Sequence, residues 1–248
     1  MLPIEISVYV AIAAALFFDF VNGFHDSANS IATVVGTRVL RPLYAVCIAA
    51  IANFAGPFIF GTAVAVTVGK GIIQPSFSTV DVIFAGLVGA IVWDLVTWYF
   101  GLPSSSSHAL IGGLIGSALL AGGLLDSRSF VVPPAVILMA ATAIGLGTFF
   151  GGWRIVKTMA FKLTSLRPYQ GFCAETGGGV ILTSMAWLGI PVSTTHAIAG
   201  AIMGVGATKR LSAVRWGIGK KIVYAWIFTI PASAAVAALV SILMKLFV

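Results

Sequence analysis

The sequence predicts an all-α fold, a polytopic bundle of transmembrane helices with inverted-repeat character and two re-entrant helical hairpins. Three observations carry that expectation. Hydrophobic residues make up 59% of the 248 and charged residues only 8%, with a mean hydropathy of +1.08, far outside the range of soluble domains. Apolar runs long enough to cross a bilayer recur along the chain. A stretch of Gly-x-Pro, hydroxyls and a histidine occurs twice, 88 residues apart. A soluble core of this size needs a charged shell, which 14 Lys and Arg with 7 Asp and Glu do not supply. Lipid is therefore the expected solvent for most of the surface.

In chain order, long apolar runs fall at 6–36, 43–68, 82–101, 131–150 and 220–247, and shorter ones at 107–123, 171–188 and 195–207. The run at 195–207 is too short to span and suits a half-helix or re-entrant segment. One membrane domain is expected, with 1–123 as a first repeat (a broken acidic helix, a span and the first hairpin) and 124–248 as an incomplete second repeat. The first run lacks a basic n-region and a small-residue cleavage site, so it is expected to be retained rather than cleaved as a signal peptide.

Basic residues gather at Arg38 and Arg41, at Arg154, Lys157, Lys162 and Arg167, and at Lys209, Arg210, Arg215, Lys220 and Lys221. The positive-inside rule places all three groups in the cytoplasm, and the number of crossings between them leaves both termini outside. The net charge of +7 then reflects topology. No continuous basic stripe for nucleic acid is present. Cys47 and Cys173 lie in or beside apolar runs without metal or disulfide spacing and are read as packing residues.

The repeat aligns Gly101 to Gly112 on Gly189 to Gly200 without a gap: Ser104, Ser105, Ser106, Ser107 and His108 fall on Val192, Ser193, Thr194, Thr195 and His196. In each copy the proline ends an incoming helix and leaves the hydroxyls at the start of the outgoing one. Free backbone N–H groups, the positive end of the helix dipole and several hydroxyls make such a tip an anion-binding device without a lysine or arginine. Two tips meeting across a pseudo-twofold axis is the arrangement of carriers built from repeats. Ser104, Ser105, Ser106, Ser107, Ser193, Thr194 and Thr195 are the candidate substrate ligands.

Asp19, Asn22, Asp26, Asn29 and Thr33 follow spacings of 3 and 4 and share one helix face. A carboxylate in a bilayer costs at least about 2.5 kcal/mol on insertion scales, so two on one stripe need a compensating role. Carboxylate and amide oxygens in close array suit sodium or a proton relay. Gly23, Ser27, Ala28 and Ser30 allow the helix to break or a neighbour to approach closely. Asp94 and Glu175 are further embedded acids, in the arms before the two hairpins. His25, His108 and His196 are read as hydrogen-bond donors that fix the tips.

Gly23, Phe24, His25, Asp26, Ser27, Ala28 and Asn29 resemble the G-A-N-D-x-A-N signature of the inorganic phosphate transporter (PiT) family, and the two hydroxyl tips resemble its paired re-entrant hairpins. The resemblance covers nearly the whole chain. It implies symport of phosphate with sodium or protons in the cell (inner) membrane, with no further cofactor. The tips would hold phosphate, alone or as a neutral metal-phosphate complex, while Asp26 and Asn29, with Asp19, Asn22 and Glu175, would hold the cation. A second copy of the chain is a further candidate partner beside the lipid bilayer. Two departures stand out. His25 replaces the Asn of the signature, and the family's second Asn-Asp motif is absent from a chain with only three asparagines. The block that would carry it is expected to be missing between about Leu120 and Val131. Two other readings remain at this point: a transport-inactive shortened paralogue that binds phosphate or assembles with a partner, and an intramembrane serine hydrolase.

Overall fold

The computed structural model describes residues 4–71, 79–121 and 132–246. The position expected for the missing block falls largely on 122–131, outside the described residues. Helix α1 (Ile4–Gly36) is followed by α2 (Pro42–Phe60) and α3 (Ala63–Gly71). The first hairpin is α4 (Val80–Phe100) with α5 (Ser106–Ala121). Next come α6 (Pro134–Phe150) and α7 (Trp153–Lys157), the latter continued by a π-helical stretch, Thr158–Leu163. The second hairpin is α8 (Pro168–Trp187) with α9 (Thr194–Lys209), and α10 (Trp216–Leu246) follows. Among the described residues four helices (α1, α2, α4, α10) are long and apolar enough to cross a membrane, and α6 with α7 and its π-helical continuation, bent by 52°, makes a fifth where the pair counts as one span.

Local chemistry explains the boundaries. Arg38 takes a left-handed φ of 60° to stop α1, and Pro42 then opens α2 at a first-turn position that needs no N–H donor. Gly61, at φ 76°, divides the apolar run 43–68 into α2 and α3. The hairpin arms stop alike. Gly101 (φ 64°) and Gly189 (φ 67°) each turn left-handed, and the next amides reach back, Leu102 N–H to the Thr97 carbonyl at 2.8 Å and Ile190 N–H to that of Met185 at 2.9 Å. Repeated sequence thus becomes repeated geometry.

The acidic helix does not break: α1 is continuous over 33 residues. Gly23 serves close approach instead. A Cβ there would collide with the backbone of Ile144, which lets α6 lie directly against α1.

Helix α1 is the spine against which the other directions are read. Phe18 packs with Leu87, Ala90 and Ile91, while His25 meets Thr97 at 3.2 Å, so α4 runs with α1. Gly23 faces Ile144 and Gly36 faces Ala160, so α6 and α7 run with it too. Helix α8 runs against it, from Gly171 beside Thr37 to Leu182, which shares a cavity wall with Asn22. The two hairpins therefore enter from opposite ends, and their tips meet beside Asp26 and Asn29. That is the inverted arrangement.

The end of α1 bearing Arg38 gathers most of the basic residues. Arg215 N–H bonds the Leu163 carbonyl at 2.9 Å and Thr164 bonds that of Ala213 at 3.0 Å, bringing Lys162, Arg167, Lys209, Arg210 and Arg215 to the end where Gly36 meets Ala160. Arg154 lies apart. It is held at the first tip by the Tyr99 carbonyl (2.7 Å) and stands 5.0 and 4.8 Å from the Trp98 and Tyr99 rings. The C-terminal end of α10 lies at the other end, where Lys245 bonds the Leu120 carbonyl.

Candidate substrate and cation site

Asn29 is the hub of the polar centre. Its amide nitrogen donates to Asp26 Oδ1 (3.1 Å), Thr194 Oγ1 (3.3 Å) and Thr195 Oγ1 (2.9 Å). Thr194 Oγ1 in turn donates to Asp26 Oδ2 at 3.0 Å. The stripe on α1 and the start of α9 are thereby locked together, with Asn29 buried and Asp26 half-buried. The tips themselves touch: Thr195 Oγ1 donates to the Ser104 carbonyl at 2.9 Å, and the rings of His108 and His196 stand 5.1 Å apart.

The N-terminal turns are matched. Ser105 accepts from His108 N–H at 3.3 Å and Ser193 from His196 N–H at 3.1 Å, so both serines are helix caps. The amides of Ser106, Ser107, Thr194 and Thr195 take no partner among the described residues. Four free N–H groups on two adjoining helix starts are what an oxyanion needs.

Asn22, Asp26, Asn29, Glu175 and Thr194 line one cavity of about 300 Å³. Glu175 accepts from Thr33 at 2.5 Å, which ties the far end of the α1 stripe to α8. Asp19 does not reach this cavity; it sits two turns nearer the N-terminus, half-buried. Of the four serines in the first tip, Ser107 is exposed, Ser105 is the cap, Ser104 bonds Thr97 at 2.7 Å, and Ser106 is buried without a partner.

Of the further residues at the site, His25 stands out in the sequence as a hydrogen-bonding partner of the tips, whereas Asn53, Trp226 and the role of Ser27 do not. His25 turns away from the cavity toward the first tip, 3.2 Å from Thr97 Oγ1 and 3.5 Å from Ser104 Oγ. Asn53 lines the cavity wall and bonds Thr148 at 2.9 Å. Trp226, on α10, donates to the Pro103 carbonyl at 2.9 Å and stacks edge-on against His196 at 4.0 Å, bracing both tips. Ser27 accepts from Gly152 N–H at 2.6 Å and so seats the bend between α6 and α7. Asn53, Trp226 and Ser27 do not lie on the 3–4 stripe, which is why spacing alone did not reveal their roles.

A bundle in which hairpins from opposite ends bring helix starts and hydroxyls to one acidic helix defines a membrane carrier of the inverted-repeat class. The chain matches the Phosphate transporter family model over residues 22–131 and 124–237, and it belongs to that family. It is 46% identical to a probable low-affinity inorganic phosphate transporter of Rhizobium meliloti, over 92% of this chain and 93% of the relative. A relative of the same description from Bacillus subtilis is 34% identical over 92% and 94%. A solved structure titled the sodium-dependent phosphate transporter superposes with a TM-score of 0.88 at 20% identity, covering 98% of this chain and 100% of that one; it shows the same fold.

The chain is thus a multi-pass membrane protein of phosphate transport, and the hydrolase reading is set aside. The alignment with the Rhizobium relative runs over 312 positions, more than the 248 residues of this chain. That relative therefore carries residues this chain lacks, and the two stretches matching the family model overlap at 124–131.

Proposed function

We propose that the chain is a secondary carrier that moves inorganic phosphate together with a cation, sodium or proton, by alternating access. The observation that carries this is the meeting of two capped helix starts, with four amides unpartnered among the described residues, beside the Asp26 and Asn29 pair. Phosphate, free or as a neutral metal-phosphate complex, would lie against the Ser104 to Ser107 and Ser193 to Thr195 tips. Asp26 and Asn29, with Asn22 and Glu175 on the same wall and Asp19 farther along α1, would hold the cation whose charge offsets the anion. Hairpins entering from opposite ends supply two gates around one site. A structural neighbour described as a sodium-dependent phosphate transporter supports cation coupling.

Uptake of labelled phosphate by proteoliposomes tests this proposal, with an imposed sodium or proton gradient. Accumulation above equilibrium is expected, and its absence under both gradients would overturn carriage. That outcome would favour a second reading, a transport-inactive partner that binds phosphate, for which the missing block is the supporting observation.

Selectivity follows from the carboxylate. Phosphate carries a hydrogen at neutral pH that Asp26 can accept, and sulfate does not. A site built around a hydrogen bond rejects the analogue lacking it, so excess sulfate is expected to leave phosphate uptake unchanged. Competition by sulfate as strong as that of unlabelled phosphate would contradict the role of Asp26.

The basic end is proposed to face the cytoplasm, with both termini outside the inner membrane. Epitopes fused at either terminus should then be cleaved by protease added to spheroplasts. Protection of both would reverse the orientation. The same purified protein on a sizing column with light scattering reports whether a second copy is bound.

A further inference from the structure

The end of the bundle opposite the basic residues carries a cavity that the Asp26 site does not use. It measures about 280 Å³ and lies where the start of α4 meets the ends of α5 and α10. Its polar lining is Thr79, Asp81, Ser117, Ser241 and Lys245, with Val82, Leu120 and Met244 as apolar wall.

Ser241 points to an occupant. It is 9% exposed, it lines the cavity, and its hydroxyl has no hydrogen-bond partner among the described residues. A buried hydroxyl left unpaired is costly, and an acceptor on a ligand removes the cost. Ser117, on α5, cannot serve as that ligand's donor, because its own proton goes to the Gly113 and Leu114 carbonyls.

Both signs of charge meet around this hydroxyl. Lys245 donates one N–H to the Leu120 carbonyl at 3.0 Å, which leaves two for a ligand. Thr79 accepts from Val82 N–H at 3.3 Å, while the amides of Val80 and Asp81 take no partner among the described residues. Those amides open the positive end of a 21-residue helix. An ammonium beside free helix-start amides suits a phosphate. The Asp81 carboxylate, exposed on the same first turn, suits a cation that donates hydrogen bonds. The outer surface at this end is apolar, with Leu119, Leu243 and Leu246 exposed, so acyl chains can run along it from a headgroup seated in the cavity.

We propose that this cavity binds the phosphoethanolamine headgroup of phosphatidylethanolamine. Lys245 and the start of α4 take its phosphate, Asp81 takes its primary ammonium, and Ser241 donates to an ester oxygen. Choline has no N–H for Asp81, and a glycerol headgroup brings that carboxylate no cation, so neither of those lipids satisfies both charges. One bound lipid ties α10 to both arms of the first hairpin. The proposal goes beyond phosphate carriage and does not rest on it.

The test uses the full chain, washed free of lipid in dodecyl maltoside and kept in buffer without phosphate. Phosphatidylethanolamine, phosphatidylcholine and phosphatidylglycerol with the same acyl chains are titrated in turn as mixed micelles, and the thermal unfolding midpoint is followed. The midpoint should rise and saturate with phosphatidylethanolamine, and at least about tenfold more of either other lipid should be needed. Asp81→Asn should remove that preference. Lys245→Gln and Ser241→Ala should each raise half-saturation at least about tenfold, as the loss of one hydrogen bond to a charged group or of a buried one predicts. Cys173→Ser is the unaltered control. Should Lys245→Gln or Ser241→Ala fail to fold, Asp81→Asn, on an exposed turn, carries the comparison. Equal responses to the three lipids, or variants that respond as the wild type does, would overturn the assignment. A rise with soluble phosphorylethanolamine that Asp81→Asn removes would give the cavity to a soluble ligand and overturn the lipid. Failure of phosphate uptake bears on the carrier reading alone and leaves this titration standing.

Discussion

Replacing Asp26 with alanine is expected to reduce phosphate uptake at least about a hundredfold while leaving the protein folded. Both carboxylate oxygens are engaged, Oδ1 by Asn29 and Oδ2 by Thr194. Hydrogen bonds to a charged group contribute about 1.5 to 3 kcal/mol each, so two of them hold the second tip to α1 with several kcal/mol, and a tenfold change corresponds to about 1.4 kcal/mol. The substitution also removes a proposed cation ligand. Asn29→Ala should be as severe, because one amide nitrogen serves Asp26, Thr194 and Thr195. Thr195→Val keeps the shape and loses only the links to Asn29 and the Ser104 carbonyl, so a milder loss of about tenfold is expected for one or two neutral bonds. Cys173→Ser, at an exposed position, should transport as the wild type does. The measurement is the initial rate of labelled uptake per reconstituted protein, and an Asp26→Ala carrier retaining half its rate would place the function elsewhere.

What the sequence made legible follows from periodicity and repetition. The stripe at Asn22, Asp26, Asn29 and Thr33 was visible because polar residues at helical spacing are conspicuous in an apolar segment, and the structure brings those residues to one wall with Glu175. The two tips were visible because one sequence occurs twice, and Gly101 with Gly189 end their arms by the same left-handed turn. Periodicity could not assign roles within a run of like residues. Ser104, Ser105, Ser106 and Ser107 look equivalent in sequence, yet they become a tip brace, a cap, a buried unpartnered hydroxyl and an exposed one. Those differences depend on Thr97 and His25, which reach the tip from other helices. Gly23 was ambiguous for a similar reason. Whether a glycine breaks a helix or admits a neighbour depends on the neighbour, here Ile144, 121 positions later in the chain.

A valine at Gly112 is expected to abolish folded protein, whereas a valine at Gly200, its partner in the repeat, is expected to be silent. In the first hairpin Gly89, Gly112 and Gly116 form the seat for α10. A Cβ at Gly112 would land on the backbone of Ile230 and on Ser233, one at Gly116 on the backbone of Ala234, and one at Gly89 on the Ser233 carbonyl. Backbone on both sides leaves nothing flexible to yield. The cost should therefore exceed the usual 1 to 3 kcal/mol of overpacking and approach the range above about 4 kcal/mol that single substitutions rarely reach. The counterparts Gly177, Gly200 and Gly204 have no heavy atom within 4 Å of the position a Cβ would take. A side chain there meets open space, and valine in a helix interior is slightly better than glycine. Yield and a symmetric sizing peak in detergent separate the two cases, with the unfolding midpoint as a second measure. Should Gly200→Val collapse as Gly112→Val does, the outer face of the second hairpin is covered in the membrane by another helix. The repeat would then seat a helix on both hairpins, one of them supplied from outside this chain.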